Sequence, residues 1–216
     1  MTYVAAGGTK ASGSGILVHK SSGISSVSDL KGKTIAYTKG TSSQYMILKI
    51  LESAGLSQDD VNLVNLDQSA ASVAYVDGTV DAWVNWDPAT SKAEVTDNST
   101  LLVTGSDVGV NNRSYIVSPT AFAEENEDVT ELLIKYTSED MTWANKHKDK
   151  LVTMLTESLG LEEAVVQKMV NRRTYAMTGM TEKSVSELQD IADLFYTDDI
   201  INNKVVIKDN VQYLSN

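Results

Sequence analysis

The stretch Lys39-Gly40-Thr41-Ser42-Ser43-Gln44 holds the residues of this chain best suited to chemistry. It joins a short apolar strand, Thr34-Ile35-Ala36-Tyr37, to an apolar helix over 44–54. A glycine turn followed by hydroxyl residues at a helix start makes a cradle for a small oxyanion. The first turn of a helix has N–H groups with no partner, and the helix dipole favours negative charge there. Thr41, Ser42 and Ser43 add hydroxyl donors, Gly40 lets a ligand approach the backbone, and Gln44 can add an amide donor. The same hydroxyls would also make an ordinary helix N-cap, and the segment alone does not separate the two readings.

Four more residues have suitable chemistry. Trp86 closes the apolar run Val80–Trp86, where an indole can pack on an alkyl chain or a cationic amine. Trp83 lies three positions earlier, so the two indoles point to opposite faces of a strand. Trp83 reads as the core member and Trp86, next to the loop, as the site member. Asp87 could meet an amine, although a carboxylate just before Pro88 is also a common turn residue, and that reading is preferred. Asn112 and Arg113 precede the strand at 114–117, and a guanidinium there could grip an oxyanion through two parallel hydrogen bonds. A solvated surface arginine is the competing reading.

The remaining titratable residues suggest nothing catalytic. His19 and His147 each stand beside lysine in no metal or triad spacing, and both read as surface residues. Arg172 and Arg173 close a helix, where cations complement the dipole, and the acidic run 124–128 reads as a helix entry. No cysteine is present, so disulfides, zinc–thiolate sites and thiol nucleophiles are excluded. No cofactor and no metal are expected. A formal net charge of -11 argues against nucleic acid as a partner. It also requires any anion site to be built from local dipoles and a few placed cations.

The elements that would position these residues are legible in the first half. Strands at 15–18, 34–37, 61–66, 80–86 and 101–104 alternate with helices at 44–54, 69–76 and 89–95, and Ser26 with Asp29 caps a single turn at 27–30. This alternation predicts βαβ units, a mostly parallel sheet and helices on both faces. After the strand at 114–117 the pattern is almost wholly helical. Stripes run through Val129, Leu132, Leu133, Tyr136 and Trp143, then Leu151, Leu155 and Leu159, then Leu161, Val165 and Met169, then Val185, Leu188, Ile191, Ala192 and Phe195. Four such helices form a bundle or coat a sheet supplied by other residues. Residues 204–207 would add an edge strand or wrap a surface. No run approaches the roughly 20 apolar residues of a membrane helix.

Several segments, in order, resemble the substrate-binding proteins of ABC importers for aliphatic sulfonates, taurine and nitrate. They are Ser28-Asp29-Leu30-Lys31-Gly32-Lys33, Lys39-Gly40-Thr41-Ser42-Ser43, Asp77-Gly78-Thr79-Val80-Asp81-Ala82-Trp83, Trp86-Asp87-Pro88, Asn112-Arg113-Ser114-Tyr115 and Ala192-Asp193-Leu194-Phe195-Tyr196. The resemblance spans about residues 14–208 and implies the α/β fold of type II periplasmic binding proteins, two lobes with ligand in the cleft. It makes 15–117 the second α/β lobe, complete, and 1–14 with 118–216 the mostly helical remainder of the first. It implies a non-enzymatic receptor that binds a small anionic ligand and delivers it to an ABC permease at the membrane, with Asn112 and Arg113 beside a hinge strand. The location would be extracytoplasmic, periplasmic or anchored at the cell surface as a lipoprotein, with the signal sequence absent from this chain. Relatives carry an additional N-terminal βαβ segment, so the chain reads as truncated and is expected to compensate by forming a homodimer or exchanging segments. Two rivals share the fold. A thiamine-pyrimidine-precursor binding or synthesis protein would use a histidine, for which His19 and His147 are poorly placed. An effector-sensing domain would need a helix-turn-helix segment ahead of the lobes, and none is present.

Overall fold

The computed structural model describes residues 1–214. The first half of the chain contains β1 (Thr2–Gly7), β2 (Ser14–His19), β3 (Thr34–Tyr37), α1 (Ser42–Ser53), β4 (Asn62–Asn65), α2 (Gln68–Val76), β5 (Ala82–Trp86), α3 (Ala89–Thr96) and β6 (Ser99–Thr104). The second half contains β7 (Tyr115–Ser118), α4 (Thr120–Glu125), α5 (Glu127–Lys146), α6 (Lys148–Leu159), α7 (Glu163–Asn171), β8 (Met177–Gly179) and α8 (Glu182–Thr197). Two compact units result. One comprises Met1–Thr9, Arg113–Lys148 and Thr174–Asn216, and the other Lys10–Asn112 and Asp149–Arg173.

In the second of these units, five strands form one sheet in the order β4-β3-β5-β2-β6. The central strands β2, β3 and β5 alternate between two cores. Ile16, Val18, Ile35, Ala82 and Val84 face Met46, Ile47, Ile50 and Leu51 of α1. Leu17, Ala36 and Trp83 face Ala71 and Tyr75 of α2 and Ala93 of α3. That period of two lets a short apolar strand serve both faces of a sheet. β3 is parallel to β4 and β5, but β2 runs antiparallel to both β5 and β6. The expected mostly parallel sheet is therefore a mixed one, because periodicity within a strand carries no information about its direction.

Residues 149–173 also belong to this unit, whereas the sequence division grouped them with the rest of 118–216. α7 packs on α3, and Lys168 and Arg172 form ion pairs with Glu94 of that helix. His19, read as a surface residue, is half-buried. Its ring stacks on Tyr75 with centroids 4.3 Å apart, and its nitrogens face the carbonyls of Tyr75 and Asp97 at 2.9 and 3.2 Å.

The other unit holds a three-stranded antiparallel sheet, β7-β1-β8. Val4, Ala5 and Met177 meet Ala123 of α4 and Ile134 of α5 on one face. Ala6 and Tyr115 meet Val185, Leu188 and Ala192 of α8 on the other, with Ile207. Neither β1 nor β8 was legible in the sequence, since Ala, Gly and Thr dominate both. α5 buries a narrow row, Thr130, Ile134 and Ala144. The wider apolar stripe Val129, Leu132, Leu133, Tyr136 and Trp143 lies between 38% and 57% exposed.

Two tight turns lead into the five-stranded sheet, each closed by a capping box, Ser26 with Asp29 and Ser57 with Asp60. The backbone N–H of Ser25 and the hydroxyl of Ser26 draw the Asp29 carboxyl down to about 2. The Ser57 N–H and the Lys31 ammonium do the same for Asp60, also to about 2. A depressed carboxylate contributes stability above its unfolded pKa and loses it as pH falls through the folded one. Carbon-13 NMR titration should therefore place both midpoints near 2. Ser26→Ala should raise only that of Asp29, toward the ordinary value of about 3.9.

Candidate functional site

β3 and β4 are parallel and are followed by α1 and α2, so both helices begin at the carboxyl edge of the sheet. Open α/β sheets bind ligands at such an edge. Gly40 has φ 71°, which a side chain would strain, and a Cβ placed there would meet nothing within 4 Å. The approach to the backbone is therefore open. Its N–H donates to Gln44 Oε1 at 2.7 Å. Lys39 N–H donates to Asn65 Oδ1 at 2.8 Å, while the exposed Lys39 ammonium forms no ion pair among the described residues.

Several cradle groups are spent on the fold. Thr41 is the N-cap, accepting from Ser43 N–H at 3.2 Å and donating to the Thr38 carbonyl at 2.7 Å. Ser43 is buried, and its hydroxyl donates to the Val84 carbonyl at 2.7 Å, locking α1 to β5. Others remain. Among the described residues no acceptor faces the N–H groups of Thr41 and Ser42 or the Ser42 hydroxyl. Because Gln44 Oε1 is held by Gly40, its Nε2 is left as a donor. The N-cap reading holds for Thr41, and the donors an anion would need are other atoms. Thr41 and Ser43 cap and anchor, while Ser42, the first-turn N–H groups and the Gln44 amide supply unpaired donors.

Trp83 is 3% exposed beneath Tyr75, whereas Trp86 is half-buried at the end of β5, opposite Ser14. Asn112, at φ 46°, donates to Ser14 Oγ at 2.7 Å, which brings it to the same edge. Asp87 and Arg113 are otherwise engaged. Asp87 is 5% exposed and accepts from Thr90 Oγ1, Ser91 N and Ser91 Oγ at 2.9, 3.1 and 2.6 Å. Arg172 grips both carboxylate oxygens, Nε reaching Oδ2 at 2.8 Å and Nη2 reaching Oδ1. A Cβ at Gly13 would collide with Asp87 Oδ2, so only glycine fits above the pair. Arg113 belongs to the other unit, where Nε meets Glu187 at 2.7 Å and Nη1 the Gly7 carbonyl at 2.9 Å. Its charge is balanced by Glu187 instead of standing open to an anion.

Sequence reasoning missed two residues that matter here. Arg172 was assigned to its helix end, and nothing local could link it to Asp87, 85 residues away. Asn85 is a polar residue inside the apolar run Val80–Trp86, a signal that was available, and it is 3% exposed. Among the described residues no group of His, Cys, Asp or Glu is placed to hold a metal ion.

The fold defined by these elements is that of the α/β type II periplasmic binding proteins. More narrowly, the chain belongs to the family described as NMT1/THI5 like, whose model matches residues 4–151. The crystal structure of the periplasmic aliphatic sulphonate binding protein SsuA from Escherichia coli superposes with a TM-score of 0.93 at 28% identity, covering 100% of this chain and 70% of that one. The alkanesulfonate-binding protein SsuA from Xanthomonas axonopodis pv. citri, bound to MOPS, gives 0.89 at 26% identity, covering 98% and 73%. Curated relatives from Escherichia coli strain K12 and Bacillus subtilis strain 168, both named for binding aliphatic sulfonates, are 29% and 30% identical over 98% and 91% of this chain. The chain spans 66% and 59% of their lengths, under two thirds in both cases.

Burial raises the Asp87 carboxyl, but the Arg172 guanidinium and the Ser91 and Thr90 hydroxyls outweigh it and hold it below the usual range. Its stabilising contribution is therefore present above an unfolded value near 3.9 and fades as pH falls through the lower folded one. Asp87→Ala should cost about 3 kcal/mol in urea unfolding at pH 7, the low end for a broken buried pair, because the Arg172 guanidinium keeps only Glu94 as a counterion. That deficit should shrink in acid, where the parent loses the same pair.

Proposed function

We propose that this chain is the solute-binding part of an ABC importer. It takes a small organic oxyanion of the aliphatic sulfonate, taurine or nitrate type at the carboxyl edge of the five-stranded sheet. The observation that carries this reading is the set of unpaired donors at the start of α1, namely Thr41 N–H, Ser42 N–H, the Ser42 hydroxyl and Gln44 Nε2. Unpaired N–H groups at the positive end of a 12-residue helix favour an anion without any countercharge. Trp86 supplies an apolar surface for an alkyl tail, and Asn112 lines the same edge. The similarity to proteins named for sulfonate binding supports the ligand class. The role is non-enzymatic, and outside the cytoplasm the loaded receptor delivers its ligand to an ABC permease at the membrane.

Isothermal calorimetry with ethanesulfonate, taurine, nitrate and sulfate tests the reading. At least one anion should bind with micromolar affinity. Ser42→Ala should weaken it about five-fold, the worth of one hydrogen bond near 1 kcal/mol. Ser42→Glu, which puts a carboxylate at the helix start, should abolish it. Absence of heat from every anion would overturn the assignment.

The exposed stripe on α5 supports a further part of the reading, association with a second copy of the chain. Contiguous apolar surface of this kind is seldom left to solvent in monomers. Light scattering at about 50 μM should return the mass of two chains, and Leu132→Glu with Leu133→Glu should return one. A single-chain mass for the parent would exclude it.

A further inference from the structure

Asn112 belongs to the same unit as Lys10, Ser14 and Trp86. Its side-chain amide is held one way round. The Ser14 hydroxyl donates its one proton to the Lys10 carbonyl at 3.0 Å, so toward Asn112 it can only accept. Nδ2 of Asn112 makes that bond at 2.7 Å, which leaves Oδ1 on the other side of the amide. Among the described residues no donor meets Oδ1. Asn112 is half-buried, and its Oδ1 is open to solvent. The backbone is as constrained as the side chain. At φ 46° it occupies the left-handed region, which asparagine tolerates better than most residues.

Strand parity places this acceptor. Ile16 of β2 and Val84 of β5 face the α1 core. Ser14 and Trp86, each two residues away, face the same side and stand opposite one another in the ladder. Ser43, in the first turn of α1, hydrogen-bonds the Val84 carbonyl and ties that turn to the end of β5. The open donors of Ser42 and Gln44, the Trp86 indole and Asn112 Oδ1 therefore follow one another along the carboxyl edge, on the face that α1 covers. β5 and β2 are adjacent strands. Adjacent strands lie about 4.8 Å apart, a separation that a short alkyl chain spans. The next carboxylate along the chain, Asp87, is taken by Arg172, so a charged amine would not find its counterion there.

We infer that Asn112 Oδ1 is a specificity-determining acceptor for a hydroxyl group at the far end of the ligand, so that the site prefers hydroxyalkanesulfonates to plain alkanesulfonates. The inference rests on the proposed anion site and deepens it. The sulfonate binds at the first turn of α1, the carbons lie on Trp86, and the hydroxyl donates to Asn112. A plain alkyl end would strip water from the amide oxygen and give it no donor in return, which is costly. An ammonium end would bring a charge that a neutral amide alone compensates poorly.

Calorimetry on the whole chain compares 2-hydroxyethanesulfonate with ethanesulfonate, and 3-hydroxypropanesulfonate with propanesulfonate. In at least one pair the hydroxylated ligand should bind about five-fold tighter, the worth of one hydrogen bond. Asn112→Gly removes the amide and suits the positive φ, and it should bring that ratio to about one. The ratio is the readout because a purely structural role for Asn112 would weaken both ligands of a pair alike. In the unsubstituted protein, the Asn112 side-chain carbonyl signal in carbon-13 NMR should move further with the hydroxylated ligand than with the plain one. This measurement decides the matter if the variant fails to fold. A parent ratio below about three-fold in both pairs would overturn the inference while leaving the anion site intact. So would a ratio that survives Asn112→Gly, or a carbonyl signal that moves equally with both ligands. Failure of the parent chain to bind any anion would remove both.

Discussion

The Asp87–Arg172 ion pair is the constraint on which the sheet's carboxyl edge depends. Asp87 follows the last residue of β5, and Arg172 follows α7, from a part of the chain otherwise remote in sequence. Closing the pair fixes the β5–α3 turn against α7 and orients the end of β5, where Asn85 and Trp86 stand. Thr90, Ser91 and Glu94 satisfy the remaining donors and acceptors. Burying such charges contributes little net stability compared with apolar packing, but removing one partner is costly, so the pair acts as a geometric lock. Gly13 has no side chain because the lock occupies that space.

On that frame the chemistry of the edge is one of division among hydroxyls and amides. Thr41, Ser43 and the oxygen sides of Gln44 and Asn85 hold the backbone in place. Ser42 and the nitrogen side of Gln44 are left as donors. The proposed anion site would in this way need no arginine, in a protein with net charge -11. Helix dipoles and fixed N–H groups act over a few ångströms, where the diffuse negative field of the surface is screened. Lys39, exposed at the turn, is the cation closest in sequence to the cradle.

Much of this architecture was legible in the sequence, and the boundaries of the legible part have physical causes. β3 was located at its actual limits, and α1 within two residues, because apolar period, glycine and capping residues agree there. Trp83 and Trp86 separated by strand parity. The illegible parts depend on long-range geometry. The direction of β2, the membership of residues 149–173 and the partner of Asp87 are set by contacts between segments that carry no local mark. β1 escaped notice because Ala5, Ala6 and Gly7 have weak strand propensity and are held by β7 and β8 on either side. α5 misled in the other direction. Its apolar stripe is real, but the face it buries is the narrower row through Ile134. Asn85 could have been noticed, since a polar residue in an apolar strand always requires a partner.

The interleaving of the two units bears on how the molecule comes to exist. Neither is a continuous stretch of chain, and the polypeptide passes from one to the other four times. A ribosome would release the Asp87 carboxylate 85 residues before the guanidinium that neutralises it. Until then the turn after β5 must hold its charge in water, and the sheet edge stays loose. The edge of the five-stranded sheet therefore stays unlocked until residue 172 has been made.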